Sequence, residues 1–216
     1  MCFLTLTIMP LLVLQMSNCL FIDFYDSFSL NILAHFKKVH INFEHIYYDD
    51  SKIVDKLNSK KFQIICLGPG PGHIKDYDFF INSLRNSYNT NKFYLGVCLG
   101  HQILGHLHGF ELFKMSRPYH GEAIEVDLAS TFNFSNNKQF VQFYNSWALR
   151  PKSKSDKLKQ SVMALGSDNI VMSLSGTRML TMQFHPESIG TSCPDAIFSD
   201  IKDFLYTSMH GVKNSI

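Results

Sequence analysis

The stretch YLGVCLGHQIL, residues 94–104, joins two patterns of apolar residues through a short turn. The run FYLGV (93–97) is a continuous apolar run, as a buried strand requires, and from Leu99 onward apolar residues recur at helical spacing. Cys98 lies at the junction, between two glycines. A strand followed at once by a helix is the repeating unit of α/β proteins with a parallel sheet. This stretch therefore predicts an α/β fold.

The rest of the N-terminal half repeats this alternation of strand and helix. One run, FQIICLG (62–68), is continuously apolar, as a strand covered on both faces should be. Such a series predicts an open, mostly parallel sheet with right-handed crossovers and helices on both faces. The predicted strands are 19–23, 41–47, 62–68 and 93–97, and the predicted helices are 27–38, 51–58 and 99–107.

The pattern changes after Gly109, a residue suited to the end of a helix, into short strands separated by turn residues. This half is predicted to be antiparallel, apart from a final helix over 195–208 that should pack back on the sheet. The apolar face of that helix carries Ile197, Phe198, Ile201, Phe204 and Leu205. The predicted strands are 121–128, 139–144, 161–166, 170–175 and 178–184.

Composition and charge indicate an ordinary globular chain. Its 216 residues are 45% hydrophobic and 18% charged, with a formal net charge of +2. This charge gives no reason to expect nucleic acid or a membrane surface as a partner. The five cysteines are odd in number and scattered, so neither a disulfide framework nor a zinc site is expected. We therefore expect a reducing, cytoplasmic setting and no metal.

The N-terminal residues 1–22 carry no charge and could pass for a membrane anchor or a signal peptide. However, the stretch lacks a Lys or Arg at its start, is broken by Pro10 and Gln15, and ends in residues better used as the first strand. Too few apolar residues remain to span a bilayer. We expect residues 1–17 to be an apolar extension outside the fold, with a targeting signal as the alternative, and 18–216 to form one domain.

Cys98 fits two interpretations. A free cysteine is commonly a small buried hydrophobe. However, a G-x-C-x-G sequence between a strand and a helix is similar to the nucleophile elbow of hydrolases, where flanking glycines let the chain turn sharply and expose the nucleophile. The amides at the start of the helix would also favour a thiolate. The stretch by itself leaves both interpretations open.

Two further segments carry chemistry that a cysteine nucleophile needs. In TMQFHPES, His185 ends a strand, and in extended backbone the side chain of Glu187 would point to the same face, giving a base and a group that orients it. A surface turn is the alternative. GPGPG (68–72) follows another strand, and its backbone N–H groups could form an oxyanion hole. His101, next to the cysteine motif, is expected to be a packing or supporting residue.

Four motifs in this order resemble those of the class I (triad) glutamine amidotransferases, most closely the small glutaminase subunits of anthranilate synthase and aminodeoxychorismate synthase. They are FIDFYDSFSLNIL, GPGPG, LGVCLGHQIL and QFHPESIGT. The resemblance runs from about Cys19 to the C-terminal helix and implies a flavodoxin-like amidotransferase domain. It also implies that Cys98 is the nucleophile, His185 the general base and acid, and Glu187 the group that orients His185.

The same resemblance implies the ligands. L-glutamine would be the substrate, and the ammonia would pass to a chorismate-using synthase subunit in a heterodimer or heterotetramer, giving anthranilate for tryptophan or 4-amino-4-deoxychorismate for folate. No metal or organic cofactor is implied. The residues that would hold glutamine and its oxyanion are Gly70, Pro71, Gly72, Leu99, Gln102, Ser146 and Trp147.

Some positions depart from the family pattern. Asn145 stands where these subunits usually carry His, Trp147 replaces a usual Leu, and Glu122 replaces a usual Lys. These departures leave two alternatives beside the chorismate branch. The chain could be the glutaminase subunit of another amidotransferase complex, or a non-catalytic, amidotransferase-like regulatory partner.

Overall fold

The computed structural model describes residues 18–128, 138–152 and 158–210, so the predicted extension at 1–17 lies outside the described residues. The helices are α1 (Ser29–Lys38), α2 (Ile53–Asn58), α3 (Asp78–Asn86), α4 (Leu99–Leu107) and α5 (Pro194–His210), with a short 3₁₀ helix at Ile74–Tyr77. The strands are β1 (Cys19–Asp23), β2 (Phe43–Tyr47), β3 (Ile64–Leu67), β4 (Phe93–Val97), β5 (Leu112–Lys114), β6 (Glu122–Asp127), β7 (Lys138–Phe143), β8 (Trp147–Leu149), β9 (Lys159–Leu165), β10 (Asp168–Gly176) and β11 (Met179–Met182).

Seven of these strands form the central sheet, in the order β2-β1-β3-β4-β11-β10-β9. The first five run parallel, with Leu67 opposite Gly96 and Val97 opposite Met182, whereas β10 and β9 are antiparallel. The predicted α/β class with a mostly parallel sheet is therefore confirmed. The prediction for β11 was wrong in one respect, because β11 is antiparallel to β10 but parallel to β4. Periodicity identifies a strand without showing which neighbours it pairs with.

Helices cover both faces of the sheet, as predicted. On one face α1 and α5 pack together, with the ring centroids of Phe36 and Phe198 6.0 Å apart. On the other face lie α2, α3 and α4, whose apolar side chains join a second core cluster. Gly109, with a φ of 73°, follows α4 and ends it as predicted. Among the helices of the described ranges, none is both long and apolar enough to cross a membrane.

Helix α3 was not predicted from the sequence. Its buried face consists of Phe80, Ile81 and Leu84, a spacing typical of an amphipathic helix. Phe79, beside them in the sequence, is 70% exposed and interrupts the apolar pattern. The exposed ring therefore hides the helical periodicity.

Two small antiparallel sheets flank the central sheet. One pairs β5 with β8, neither of which was predicted, and the other pairs β6 with β7. A single bridge between Gln142 and His185 ties β7 to the loop that follows β11. The small sheets thereby place the segment after β7 over the carboxyl end of the central sheet.

The segments that the sequence singled out all follow parallel strands. GPGPG (68–72) follows β3, Cys98 follows β4, and His185 comes three residues after β11. Because these strands are neighbours and run in the same direction, their loops emerge at one edge of the sheet. This is the edge at which open α/β sheets place their binding sites.

Gly100 lets α4 pack directly against the backbone of β3. A Cβ atom at this position would lie 2.1 Å from the carbonyl oxygen of Leu67, which cannot move without disturbing the sheet. We therefore expect Gly100→Ala to destabilise the fold by about 3 kcal/mol, lowering the melting temperature by about 6–12 °C.

Calorimetry or circular dichroism would measure the effect of Gly100→Ala. Gly105→Ala is the matched control on the same helix, because its Cβ would meet the methyl end of the Leu149 side chain and not backbone atoms. Equal losses in the two variants would contradict the close backbone contact as the cause.

Candidate active site

Cys98 occupies a strained turn between β4 and α4. Its backbone has a φ of 51° and a ψ of −101°, in the region that non-glycine residues rarely adopt. The turn is held by two backbone hydrogen bonds, from the Cys98 N–H to Met182 O (2.9 Å) and from the Gly100 N–H to Gly68 O (3.2 Å). Such a conformation costs about 1–3 kcal/mol and is found where the surroundings impose it, often at active sites.

His185 and Glu187 form a buried pair. The distance from His185 Nδ1 to Glu187 Oε1 is 2.7 Å, and only 2% and 3% of the two residues are exposed. The sequence argument expected extended backbone between them, and this expectation was wrong. The chain turns here, with the Ser188 N–H donating to His185 O (3.3 Å), and the turn rather than strand alternation brings the side chains together.

The charges around His185 favour its protonated form. Burial alone would lower the pKa of His185, but the negative charges of Glu187 and of the Cys98 sulfur raise it well above its ordinary value. The rings of Phe28 and Tyr144 lie 5.2 and 5.0 Å from the imidazole and shield it. With Nδ1 engaged by Glu187, the buried Nε2 has no hydrogen-bond partner among the described residues and is the nitrogen left for chemistry.

A cleft of about 450 Å³ opens beside Cys98. The seven residues expected to hold glutamine and its oxyanion all line this cleft: Gly70, Pro71, Gly72, Leu99, Gln102, Ser146 and Trp147. His185 and Glu187 are not part of the cleft wall, but His185 is close enough to Cys98 for the charge of the sulfur to raise its pKa. The structure therefore brings Cys98 and the expected substrate residues to one cavity, with His185 and Glu187 outside its wall.

The GPGPG turn is held rigidly on one side of the cleft. The Tyr77 hydroxyl donates to Pro71 O (2.7 Å), and the His73 N–H donates to a carboxylate oxygen of Asp76 (2.8 Å). A Cβ atom on Gly70 would lie 2.5 Å from Leu99 and from Phe24, so the turn approaches the start of α4 as closely as a glycine allows. The backbone of this turn is therefore held against Leu99, the first residue of α4, in the same cleft as Cys98.

No group of three or more His, Cys, Asp or Glu side chains arranged to hold a metal ion occurs within residues 18–128, 138–152 and 158–210. The cleft wall offers backbone groups, two side-chain amides, the Cys98 thiol, hydroxyl groups, two imidazoles and one carboxylate. These groups suit a small polar substrate with donors and acceptors of its own.

A family model described as Glutamine amidotransferase class-I matches residues 20–203. The chain belongs to this family. The match covers the carboxyl edge of the sheet with Cys98, His185 and Glu187, as well as both small sheets.

Curated relatives of this amidotransferase include a Schizosaccharomyces pombe protein provisionally named aminodeoxychorismate synthase, which is 32% identical over 86% of the chain. Anthranilate synthase component 2 of Cyanophora paradoxa is 29% identical, also over 86% of the chain. The chain spans 26% of the length of the first relative and 98% of the second.

Among solved structures, a Thermoplasma acidophilum protein provisionally named as part of a GMP synthase superposes with a TM-score of 0.72. It is 16% identical, and the match covers 90% of this chain and 96% of that protein. At this identity the likeness shows the fold alone.

His101 supports the amidotransferase fold instead of acting in the cleft. Its ring is fully buried and bonds to Thr181 Oγ1 (2.8 Å) and Val171 O (3.0 Å). Burial lowers the pKa of His101 to about 3, so its imidazole is neutral at physiological pH. The expectation that His101 is a packing residue agrees with this position.

Several residues at the amidotransferase site were not predicted from the sequence. His73, Asp76, His120 and Tyr144 line the cleft, and Phe28 covers His185. Asn145, noted only as a departure from the family pattern, also lines it. Phe28 lies in the predicted helix 27–38, Tyr144 ends the predicted strand 139–144, and His73 directly follows Gly72. These local patterns do not show that the side chains meet at one site.

Proposed function

We propose that this glutamine amidotransferase is the glutaminase component of a complex that uses chorismate, giving anthranilate or 4-amino-4-deoxychorismate. One observation carries the proposal. Cys98, held at a strained turn, shares the edge of the sheet with the buried His185–Glu187 pair and faces a cleft sized for a small substrate. The names of the S. pombe and C. paradoxa relatives support a chorismate-using synthase as the partner.

The first half of the reaction forms a thioester. The Cys98 thiolate attacks the side-chain amide carbon of glutamine, making a C–S bond and a tetrahedral oxyanion. When the C–N bond then breaks, protonated His185 gives its proton to the leaving nitrogen, so that ammonia departs. The charge of Glu187, which raises the pKa of His185, keeps that proton available.

The second half returns the site to its starting state. Neutral His185 takes a proton from water as the water oxygen attacks the γ-glutamyl thioester. The C–S bond breaks, glutamate leaves, and the thiolate and the protonated imidazole are restored.

Backbone N–H groups at the start of α4 and in the GPGPG turn stabilise the oxyanion. The Leu99 N–H lies in the first helical turn, where no intrahelical acceptor is available. Gly70 packs against the Leu99 side chain, so the two backbones face the same region of the cleft. Losing one such donor typically costs about 10²–10³ in rate, which makes the fixed turn as important as the base.

Asn145 is the residue we assign to binding the backbone end of glutamine. Its Nδ2 donates to Trp147 O (3.0 Å) and to the sulfur of Met115 (3.1 Å), which fixes the orientation of the amide. Its Oδ1 is fully buried and has no hydrogen-bond partner among the described residues, and Asn145 itself lines the cleft. An unpartnered buried acceptor of this kind suits the ammonium group of an amino acid.

We therefore expect Asn145→Ala to raise KM for glutamine about tenfold and to change kcat little. Steady-state kinetics of glutamine hydrolysis would measure both constants. Asn82→Ala, on the exposed surface of α3, is the matched control. A fall in kcat at unchanged KM would contradict the assignment.

The proposal as a whole is tested by purifying the chain with its native synthase and supplying chorismate and glutamine. We expect glutamine-dependent formation of anthranilate or 4-amino-4-deoxychorismate, and mass spectrometry distinguishes these products. Formation of neither product while glutamine is hydrolysed would place the chain in another amidotransferase complex. Absence of glutaminase activity in the complex would favour a regulatory partner.

The domain limits and the cellular setting belong to the same proposal. We assign residues 18–216 to one amidotransferase domain in a reducing, cytoplasmic compartment. The four cysteines within the described ranges, Cys19, Cys66, Cys98 and Cys193, are all free thiols, which suits such a compartment.

A further inference from the structure

Gln183 is a fully buried polar residue that contacts two residues of the cleft wall, Cys98 and Gln102. It follows β11 directly, and its backbone N–H donates to Met172 O (2.9 Å). A buried amide side chain must find partners for both its donor and its acceptor, because each unpaired group costs about 1–3 kcal/mol. The partners of the Gln183 side chain therefore indicate its role.

The nitrogen of the Gln183 amide contacts the nucleophile. Gln183 Nε2 lies 3.6 Å from Cys98 Sγ, a hydrogen-bond length for the large sulfur atom, with the amide as the donor. A thiol is a weak acceptor, whereas a thiolate accepts a charge-assisted bond that is roughly twice as strong. This donor therefore favours the charged form of the sulfur.

The oxygen of the same amide holds a residue of the substrate cleft. Gln183 Oε1 accepts a hydrogen bond from Gln102 Nε2 (3.1 Å), and Gln102 Nε2 also donates to Trp147 O (2.8 Å). With its nitrogen used twice, Gln102 presents its carbonyl oxygen to other partners. A chain of hydrogen bonds thus runs from the reacting sulfur to the opposite wall of the cleft.

We propose that Gln183 is a further functional residue of this site, whose amide N–H stabilises the Cys98 thiolate and whose carbonyl orients Gln102 toward the substrate. This inference rests on the proposed glutaminase function and adds a residue to it. An amide suits this position because it donates and accepts at once and stays uncharged at every pH of interest. A carboxylate would bond to Gln102 equally well but would repel the thiolate.

Other titratable groups also affect the Cys98 sulfur. The test therefore compares variants at position 183 alone, so that these groups are the same in every variant. His185 and, behind it, Glu187 face the sulfur from the loop after β11. Cys66 on β3 lies near Glu187. Four further titratable groups line the cleft: His73, Asp76, His120 and Tyr144.

The test is the rate at which iodoacetamide alkylates Cys98 in the purified chain between pH 5 and 10, followed by peptide mass spectrometry. We expect Gln183→Met, of similar size, to slow alkylation at pH 6 about tenfold and to move its midpoint up by about one pH unit. We expect Gln183→Glu to shift the midpoint further. The exposed thiol of Cys193 is an internal reference whose profile should not change.

Gln160→Met is the matched control, because the Gln160 side chain bonds to the backbone of Lys152, far from the sulfur. Profiles for Gln183→Met and Gln183→Glu that superimpose on the wild type, at retained melting temperature, would overturn the proposal. Alkylation needs no glutamine, so this outcome is distinct from failure of the glutaminase proposal, which Cys98→Ser tests separately.

A measurement on the unaltered chain keeps the inference testable even if both Gln183 variants fail to fold. We expect the side-chain amide NMR signals of Gln183 to shift with pH at the same midpoint as Cys98 alkylation, and to stop titrating once Cys98 is alkylated. Gln183 signals that respond neither to the pH nor to alkylation of Cys98 would contradict the hydrogen bond between Gln183 and the sulfur.

Discussion

Replacing Cys98 with serine is expected to abolish glutamine-dependent product formation by the complex, by at least about a thousandfold, while ammonia-dependent synthesis is unchanged. A serine hydroxyl fits the same turn but holds its proton far more tightly than a thiol, so the His185–Glu187 pair cannot generate a comparable nucleophile. The proposed synthase partner would use free ammonia without this site, so ammonia-dependent synthesis would report that the complex is intact.

The comparison is made at a pH high enough to supply free ammonia, with product formation followed for each nitrogen source. Cys193→Ser is the matched control, because Cys193 is an exposed free thiol remote from the cleft. Continued use of glutamine by the Cys98→Ser complex would show that Cys98 is not the nucleophile.

Glu187→Gln is expected to lower kcat for glutamine hydrolysis about a thousandfold. The amide keeps the size of the carboxylate but removes one of the negative charges that raise the pKa of His185, so this pKa falls. His185 then holds its proton less firmly, pairs less well with the thiolate and protonates the leaving ammonia less readily.

NMR titration of the His185 ring would show the cause of this loss, because the titration midpoint should be lower in Glu187→Gln than in the wild type.

The wild-type pair should also make stability depend on pH. Because folding raises the pKa of His185, protonation of His185 stabilises the native chain fully below about pH 6.5, and this stabilisation is lost as the pH rises through the higher folded pKa. Glu111→Gln, which removes an exposed carboxylate paired with Arg150, is the control. An unchanged His185 titration would contradict the role of Glu187.

Much of the fold could be predicted because its strands and helices carry clear apolar periods. Helices α1, α2, α4 and α5 begin and end within about two residues of their predicted bounds. Strands β5 and β8 are only three residues long, too short to show a period. The direction of β11 depends on its pairing with β4, a long-range contact that local pattern does not report.

The candidate site, like the fold, could be predicted from the sequence only in part. Cys98, His185 and Glu187 stand in short motifs directly after strands, so their meeting at one edge follows from the parallel order of the sheet. Phe28, Tyr144 and Gln183 act through contacts with residues distant in the sequence. Phe28 and Gln183 stand in the motifs FIDFYDSFSLNIL and QFHPESIGT, but the roles of all three residues depend on how distant elements pack together, which the motifs by themselves do not show.

The backbone hydrogen bond from the Cys98 N–H to Met182 O continues the ladder between β4 and β11, two central strands of the seven-stranded sheet. Amides in such a position exchange with solvent only through sub-global or global unfolding, whereas loops at the rim open at little cost in free energy. Cys98 therefore keeps its position relative to β11, the strand that leads to His185, while less protected parts of the chain open. In a hydrogen-exchange experiment, the Cys98 amide proton should be among the slowest to exchange with solvent.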